Sequence, residues 1–282
     1  MALELGLQLY SVRNALQNNA VEALEKAAEI GYRKLELALH NQDGRFQVGA
    51  LSASEFRKQT ERLGMATVSS HAMLHEDADP APLLDFLEEI GSPTWVIPIA
   101  FFEDRRQVAA YCDQLNRYGE AARKRDIDFY YHHHFQEFQV FEGERIIDTM
   151  LALTDPALVK FELDTYWAAR GGEDPVYWLR KLGARCDLVH QKDLPASVAM
   201  VNYFDVYGKD ARITLDTLYK TQDAAQFTEA GEGVLDIPAY LAEIRKLGHA
   251  RYIFVEQDMT SRGEWESVAI SYRNMTKLLG DL

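Results

Sequence analysis

The feature that most constrains this chain is a beat. Short alternating or apolar runs keep giving way to longer segments of helical period, from the first residues to the last. The runs Glu4 to Tyr10, Lys34 to Leu39, Ala66 to His71, Thr94 to Ala100, Ile127 to His134, Val159 to Asp164, Asp187 to His190 and Tyr252 to Glu256 read as eight strands. Between them, helical spacing is expected over Ala20 to Ile30, Ser54 to Leu63, Pro82 to Ile90, Asp104 to Arg125, Glu144 to Leu153, Pro175 to Leu182, Ile237 to Leu247 and Trp265 to Leu279. Gly31, Gly64, Gly91, Gly183 and Gly248 each follow a helical run, where a left-handed residue is wanted before the chain turns back into a strand. Strand and helix in strict alternation predict a parallel sheet, and eight such units predict a closed (β/α)8 TIM barrel. The 282 residues suit one such domain over 1–282, since barrels of this kind occupy roughly 250 residues.

One stretch breaks the beat. After the seventh strand the next helix is delayed by about 194–233, too long for an ordinary connection. On this fold such an insertion is expected over the catalytic face, as a lid or as an oligomer contact in a homodimer or homotetramer.

Strand alternation separates the two sides of each strand without recognising anything. Leu5, Leu7 and Leu9 oppose Gly6, Gln8 and Tyr10; Leu35, Leu37 and Leu39 oppose Glu36, Ala38 and His40. Phe161 and Leu163 oppose Glu162 and Asp164, Ile253 and Val255 oppose Phe254 and Glu256, and Val189 opposes Leu188 and His190. Apolar residues thus take the helix-facing side, while carboxylates and imidazoles collect inside. Buried charges cost several kcal/mol each unless paired, so the collection requires a cation or tight mutual pairing. Oxygen donors with one or two nitrogens suit Mn, Mg, Zn, Co or Fe(II). Taken singly, Asp164 could cap a helix, His190 could be a core histidine and Glu256 a surface acid; a barrel that gathers all three at one mouth favours a metal site. In Tyr130-Tyr131-His132-His133-His134, parity puts His132 and His134 inside and His133 toward the helices. His71, ending the third strand, is a further candidate for substrate contact or a hydrogen-bonded core residue.

Composition closes off other classes. A formal charge of −14 opposes binding along nucleic-acid phosphates, and no basic patch offsets it. With 47% hydrophobic and 26% charged residues the chain has material for a large core. No leader pattern and no bilayer-length apolar run occur, so a cytoplasmic location without membrane contact is expected. Cys112 and Cys186 lack zinc or disulfide spacing and are expected to be buried small hydrophobes.

The segments LGLQLYSVR, YHHHFQEF, FELDTYW, LVHQKD, GEGVLD and FVEQD, in this order, resemble those of the xylose isomerase-like TIM barrels. That superfamily includes sugar isomerases and epimerases, inosose dehydratases and endonuclease IV. The resemblance implies one divalent metal held from strands five to eight, with Asp164, His190 and Glu256 matching the ligands of strands six, seven and eight. The fifth-strand ligand of the family is usually Glu; here the register holds His132, with Glu137 following later, and either could complete the shell.

The implied reaction is proton transfer through a metal-stabilised enediolate of a small carbohydrate, keto-sugar or polyol, either isomerisation or epimerisation. Loss of a β-group from the same intermediate would make the enzyme an inosose dehydratase or keto-glycoside lyase, and the His-rich fifth strand resembles that branch more closely. Catalytic work is expected of His132, His134, Glu137 and Glu256. Substrate contact is expected of His71, Trp167, Lys192 and Arg13, with Asp193 orienting the metal-bound histidine. Endonuclease chemistry is disfavoured by the acidic charge and by Trp167, where that branch carries a histidine. A non-catalytic sugar-binding barrel is the remaining alternative.

Overall fold

The computed structural model describes residues 3–42, 45–75 and 78–281. Eight parallel strands close into a barrel: β1 Glu4–Gln8, β2 Lys34–Ala38, β3 Ala66–His71, β4 Thr94–Ile97, β5 Asp128–His132, β6 Lys160–Asp164, β7 Leu188–Gln191 and β8 Tyr252–Val255. Each strand pairs with its neighbours in sequence and β8 pairs with β1, so the barrel sheet closes on itself. The principal outer helices are α1 Ala20–Ile30, α2 Ala53–Arg62, α3 Ala81–Ile90, α4 Arg105–Arg123, α5 Ile146–Leu153, α6 Pro175–Leu182, α7 Ile237–Leu247 and α8 Glu264–Gly280. This is a single-domain (β/α)8 barrel, and no helix among its described residues is long and apolar enough to cross a membrane.

Local chemistry sets the helix ends. Ser52 and Glu55 form a reciprocal capping box at the start of α2, and Asp104 and Asp236 accept backbone N–H groups at the starts of α4 and α7. Gly91 and Gly248 end α3 and α7 with φ of 80° and 70°, where a side chain would be strained. A helix absent from the sequence reading, Thr165–Arg170, begins directly after β6.

Several strands end earlier than alternation suggests. β1 stops at Gln8 because Leu9–Val12 form a 3-10 turn, β4 stops at Ile97, and β5 stops at His132. Tyr10, His133 and His134 therefore lie past their strands, where parity no longer governs direction.

The barrel interior is layered. Val68, Val96, Tyr130, Leu188 and Phe254 form a small apolar plug inside the strands, separate from the large core between strands and helices. The side facing the C-terminal strand ends carries the polar residues Glu36, His71, His132, Glu162 and His190. Gly6 belongs to the plug by what it lacks: a Cβ there would run into the Phe254 ring. Gly6→Ala is expected to destabilise the protein by about 1–3 kcal/mol through overpacking, read as a lowered midpoint in urea unfolding.

Candidate metal and substrate site

The polar groups at the strand ends form two tiers. In the deeper one, Gln8 donates from Nε2 to Glu36 Oε2 at 2.8 Å, and His71 Nε2 lies 2.7 Å from Glu162 Oε2 and 3.4 Å from Glu36 Oε2. His190 Nε2 reaches Glu36, and His132 Nδ1 lies 3.2 Å from Glu162 Oε2. In the outer tier, His190 Nδ1 lies 2.7 Å from Glu256 Oε2. Lys192 donates from Nζ to Asp164 Oδ2 at 2.5 Å and to Glu256. His190 joins the tiers, with one ring nitrogen in each.

Burial and mutual charge set the protonation states. Burial pushes Glu36 upward, but the charges of His71 and His190 outweigh it and hold the carboxyl well below its ordinary range. Burial likewise pushes His71 down, and Glu36 with Glu162 overcomes that and brings it up to about 9. Glu256 is held far below the usual carboxylate range because Lys192 and His190 outweigh its burial. His132 and His134 behave oppositely. Burial, reinforced by His190 next to His132 and by Lys192 next to His134, holds both well below the ordinary histidine value, so both are neutral imidazoles at pH 7. The Nδ1 atoms of both are buried without a hydrogen-bond partner.

Ligand atoms of His132, Asp164, His190 and Glu256 all lie within 4.8 Å of one another. Two imidazoles and two carboxylates form a donor set that divalent ions such as Zn, Mn, Co or Fe(II) accept, and His132 turns its Nε2 toward this group, 3.9 Å from Asp164 Oδ2, with its Nδ1 on the Glu162 side. These four residues fit an ion. A divalent cation there would polarise the carbonyl and hydroxyl oxygens of a bound substrate and offset developing negative charge.

Asp164 caps a helix and also reaches the cluster. Its Oδ1 accepts from Trp167 N at 2.9 Å, capping the helix Thr165–Arg170, while Oδ2 faces Lys192 and the cluster. Glu137 stands apart. It lies in a 3-10 turn past β5, where Tyr131 Oη donates to Oε1 at 2.5 Å and His134 N donates to Oε2 at 2.8 Å. Tyr131 points to the helix layer beside Phe161 and Tyr111, so Glu137 is drawn away from the mouth and joins neither group of prospective ligands. Its burial raises its carboxyl to about 7 against those two donors.

Trp167, Arg13 and Lys192, expected at the substrate, do not line the cavity. Trp167 is fully buried, edged under His134 at 5.3 Å between ring centroids, and does not line the cavity because the helix after Asp164 turns it away. Arg13 lies over the Tyr10 ring and donates to the Tyr10 and Asp258 carbonyls, bracing two loops at the mouth. Lys192 is fully buried beneath the cavity with its ammonium on the carboxylates. Asp193 does not orient His190. Its two oxygens accept backbone N–H groups from Leu194, Gly231, Gly233 and Leu235 at 2.8–3.1 Å, fastening the return of the insertion. The GEG pattern follows, since a Cβ at Gly233 would strike that carboxylate.

The cavity above the cluster measures about 470 Å³, and His71, His132, His134 and Glu256 line its floor with Gln8 and Asp258. Gln8, Glu36, Glu162 and Asp258 were not assigned to the site from the sequence. Alternation had put the first three on the inner side, and Asp258 closes the FVEQD segment, so the signal was present but not tied to a role.

Residues 24–275 match the xylose isomerase-like TIM barrel family, and the chain belongs to it. Over 123 residues it is 33% identical to an inosose dehydratase of Bacillus anthracis (strain CDC 684 / NRRL 3495), covering 44% of this chain and 38% of that protein. The match thus spans less than half the length of that relative. A sugar phosphate isomerase/epimerase from Parabacteroides distasonis superposes with a TM-score of 0.76 at 24% identity, covering 97% of this chain and 93% of the other. The IOLI protein, solved with a zinc atom, superposes at 0.71 with 12% identity over 99% of both chains.

Replacing Asp193 by Ala would strip an acceptor from four backbone N–H groups. The expected cost is roughly 2–4 kcal/mol, and limited proteolysis should cut first within 194–233.

Proposed function

We propose that this protein is a divalent-metal-dependent enzyme that removes a proton beside the ketone of a keto-sugar or keto-cyclitol and expels the group on the next carbon, as a dehydratase or lyase. The observation that carries the reading is His134: a neutral imidazole on the cavity wall whose Nδ1 has no protein partner, beside a set of residues that fits a divalent ion. A buried base without a partner is poised to take a proton from something that enters the cavity. Asp258, lining the same cavity and raised to about 7 chiefly by its burial, is placed to return a proton to the departing oxygen. The similarity to inosose dehydratases supports elimination, and the zinc of the IOLI protein supports a divalent ion.

Isomerisation or epimerisation is the second reading. Glu256 follows β8 while His132 ends β5 and His134 follows it, so a carboxylate and imidazoles face each other across the barrel. Such a pair is what moving a proton between two faces or two carbons requires.

Incubation of metal-reconstituted protein with scyllo-inosose and with 3-keto-glucosides in deuterated buffer separates the two. Elimination gives a conjugated dione or enone absorbance, whereas epimerisation gives a deuterated isomer without that chromophore. His134→Ala is expected to lower kcat by about 10²–10⁴-fold with metal content retained. Asp164→Ala and His190→Ala are expected to lose bound metal by elemental analysis. Wild-type protein that binds no divalent ion would sink the reading.

A further inference from the structure

The cavity changes character with height. Its floor is polar, while Met73 and Leu74 after β3, Ile99 after β4, and Leu215, Leu218 and Tyr219 of the insertion bring apolar surface to its wall, interspersed with His40, His75 and Gln222. Met73, Leu215 and Tyr219 are 50%, 44% and 58% exposed, large apolar side chains brought to one rim from two separate segments. Exposed apolar residues scattered singly need no explanation, but gathered at the mouth of a cavity they mark a binding surface. A bare sugar or cyclitol ring presents hydroxyl groups around its edge and would be satisfied by the floor, leaving this belt wet. The about 470 Å³ cavity also has room beyond one such ring. No Lys or Arg lines it among the described residues, and Glu256 and Asp258 do, so its lining lacks the guanidinium and ammonium groups that hold a phosphate most firmly.

We infer that the belt is a subsite for an apolar, aromatic substituent on the substrate ring: the ligand is a keto-glycoside whose ring sits on the floor and whose aglycone lies against Met73, Leu218 and Tyr219. This rests on the elimination reading above and assigns its leaving group. The base takes the proton from the carbon between the ketone and the anomeric carbon. That electron pair forms the new C=C bond, the bond from the anomeric carbon to the aglycone oxygen breaks, and the oxygen leaves as an alcohol or phenol after taking a proton. Atoms balance without a further reactant, giving an enone and the free aglycone.

Two measurements on the metal-loaded protein test it. In the first, kcat/KM is compared for methyl and phenyl 3-keto-glucosides, in wild type and in the double variant Met73→Ser/Tyr219→Ser, whose changes are at exposed positions. The phenyl compound is expected to be favoured by about ten- to a hundredfold, and the variant to bring that ratio close to one. In the second, calorimetry compares phenyl and methyl glucosides, which lack the ketone and cannot eliminate; the same preference and the same collapse are expected. A wild-type ratio near one in both measurements, or a preference that survives the double variant, overturns the subsite. If neither keto-glucoside reacts while the phenyl glucoside still binds preferentially and loses that preference in the variant, the subsite holds and the elimination reading fails. If the variant alters only the oligomeric state, the rim is a subunit contact and the inference is overturned.

Discussion

Everything at the mouth of this barrel depends on keeping ionised groups out of water. Glu36, Asp164, Glu256, His71, His190 and Lys192 are each at most 7% exposed, in a place where an unpaired charge would cost several kcal/mol. The chain meets that cost by pairing. His71 sits between Glu36 and Glu162, His190 between Glu36 and Glu256, and Lys192 between Asp164 and Glu256. His190 belongs to both tiers, so the deeper carboxylate Glu36 holds the ring that the outer residues share. A ligating histidine whose second nitrogen is held by a carboxylate has a fixed orientation and raised basicity.

The same electrostatics divide the histidines into two kinds. His71, between Glu36 and Glu162, is held in the charged form, while burial, reinforced by His190 and Lys192, holds His132 and His134 neutral. Neighbouring residues of identical chemistry therefore acquire opposite roles, compensating charge in one case and offering a free lone pair in the other. The surrounding scaffold is consistent with a site that must keep its shape. Trp167 backs His134, Arg13 ties the Tyr10 loop to the loop after β8, and Asp193 fastens both ends of the insertion that completes the cavity wall.

Much of this was legible from the chain itself. Periodicity gave the eight strands and the eight principal helices, because a strand in a closed barrel must send alternate residues to two different environments and a covering helix must bury one stripe. Alternation also put Gln8, Glu36, Glu162, Asp164 and His190 on the inner side, and the structure has all of them buried there. Where strands stop was less legible, since the end of β5 at His132 and of β1 at Gln8 is decided by the turns that follow. The motif-level resemblance carried Asp164, His190 and Glu256, and these do converge with His132.

The sequence by itself determined the barrel, its inward polar set and the family, since these follow from local period and from residue types in order. Only the tertiary structure brought His132, and not Glu137, beside Asp164, His190 and Glu256, because a hydrogen bond from Tyr131 on the helix side draws Glu137 away from the mouth. Only the tertiary structure set Trp167 against His134, Arg13 over Tyr10 and Asp193 at the ends of the insertion, and brought Met73 and Tyr219, far apart in the chain, to one rim. Direction past the end of a strand and contact between distant loops are not encoded in any local repeat; they arise when the closed barrel fixes where each loop begins.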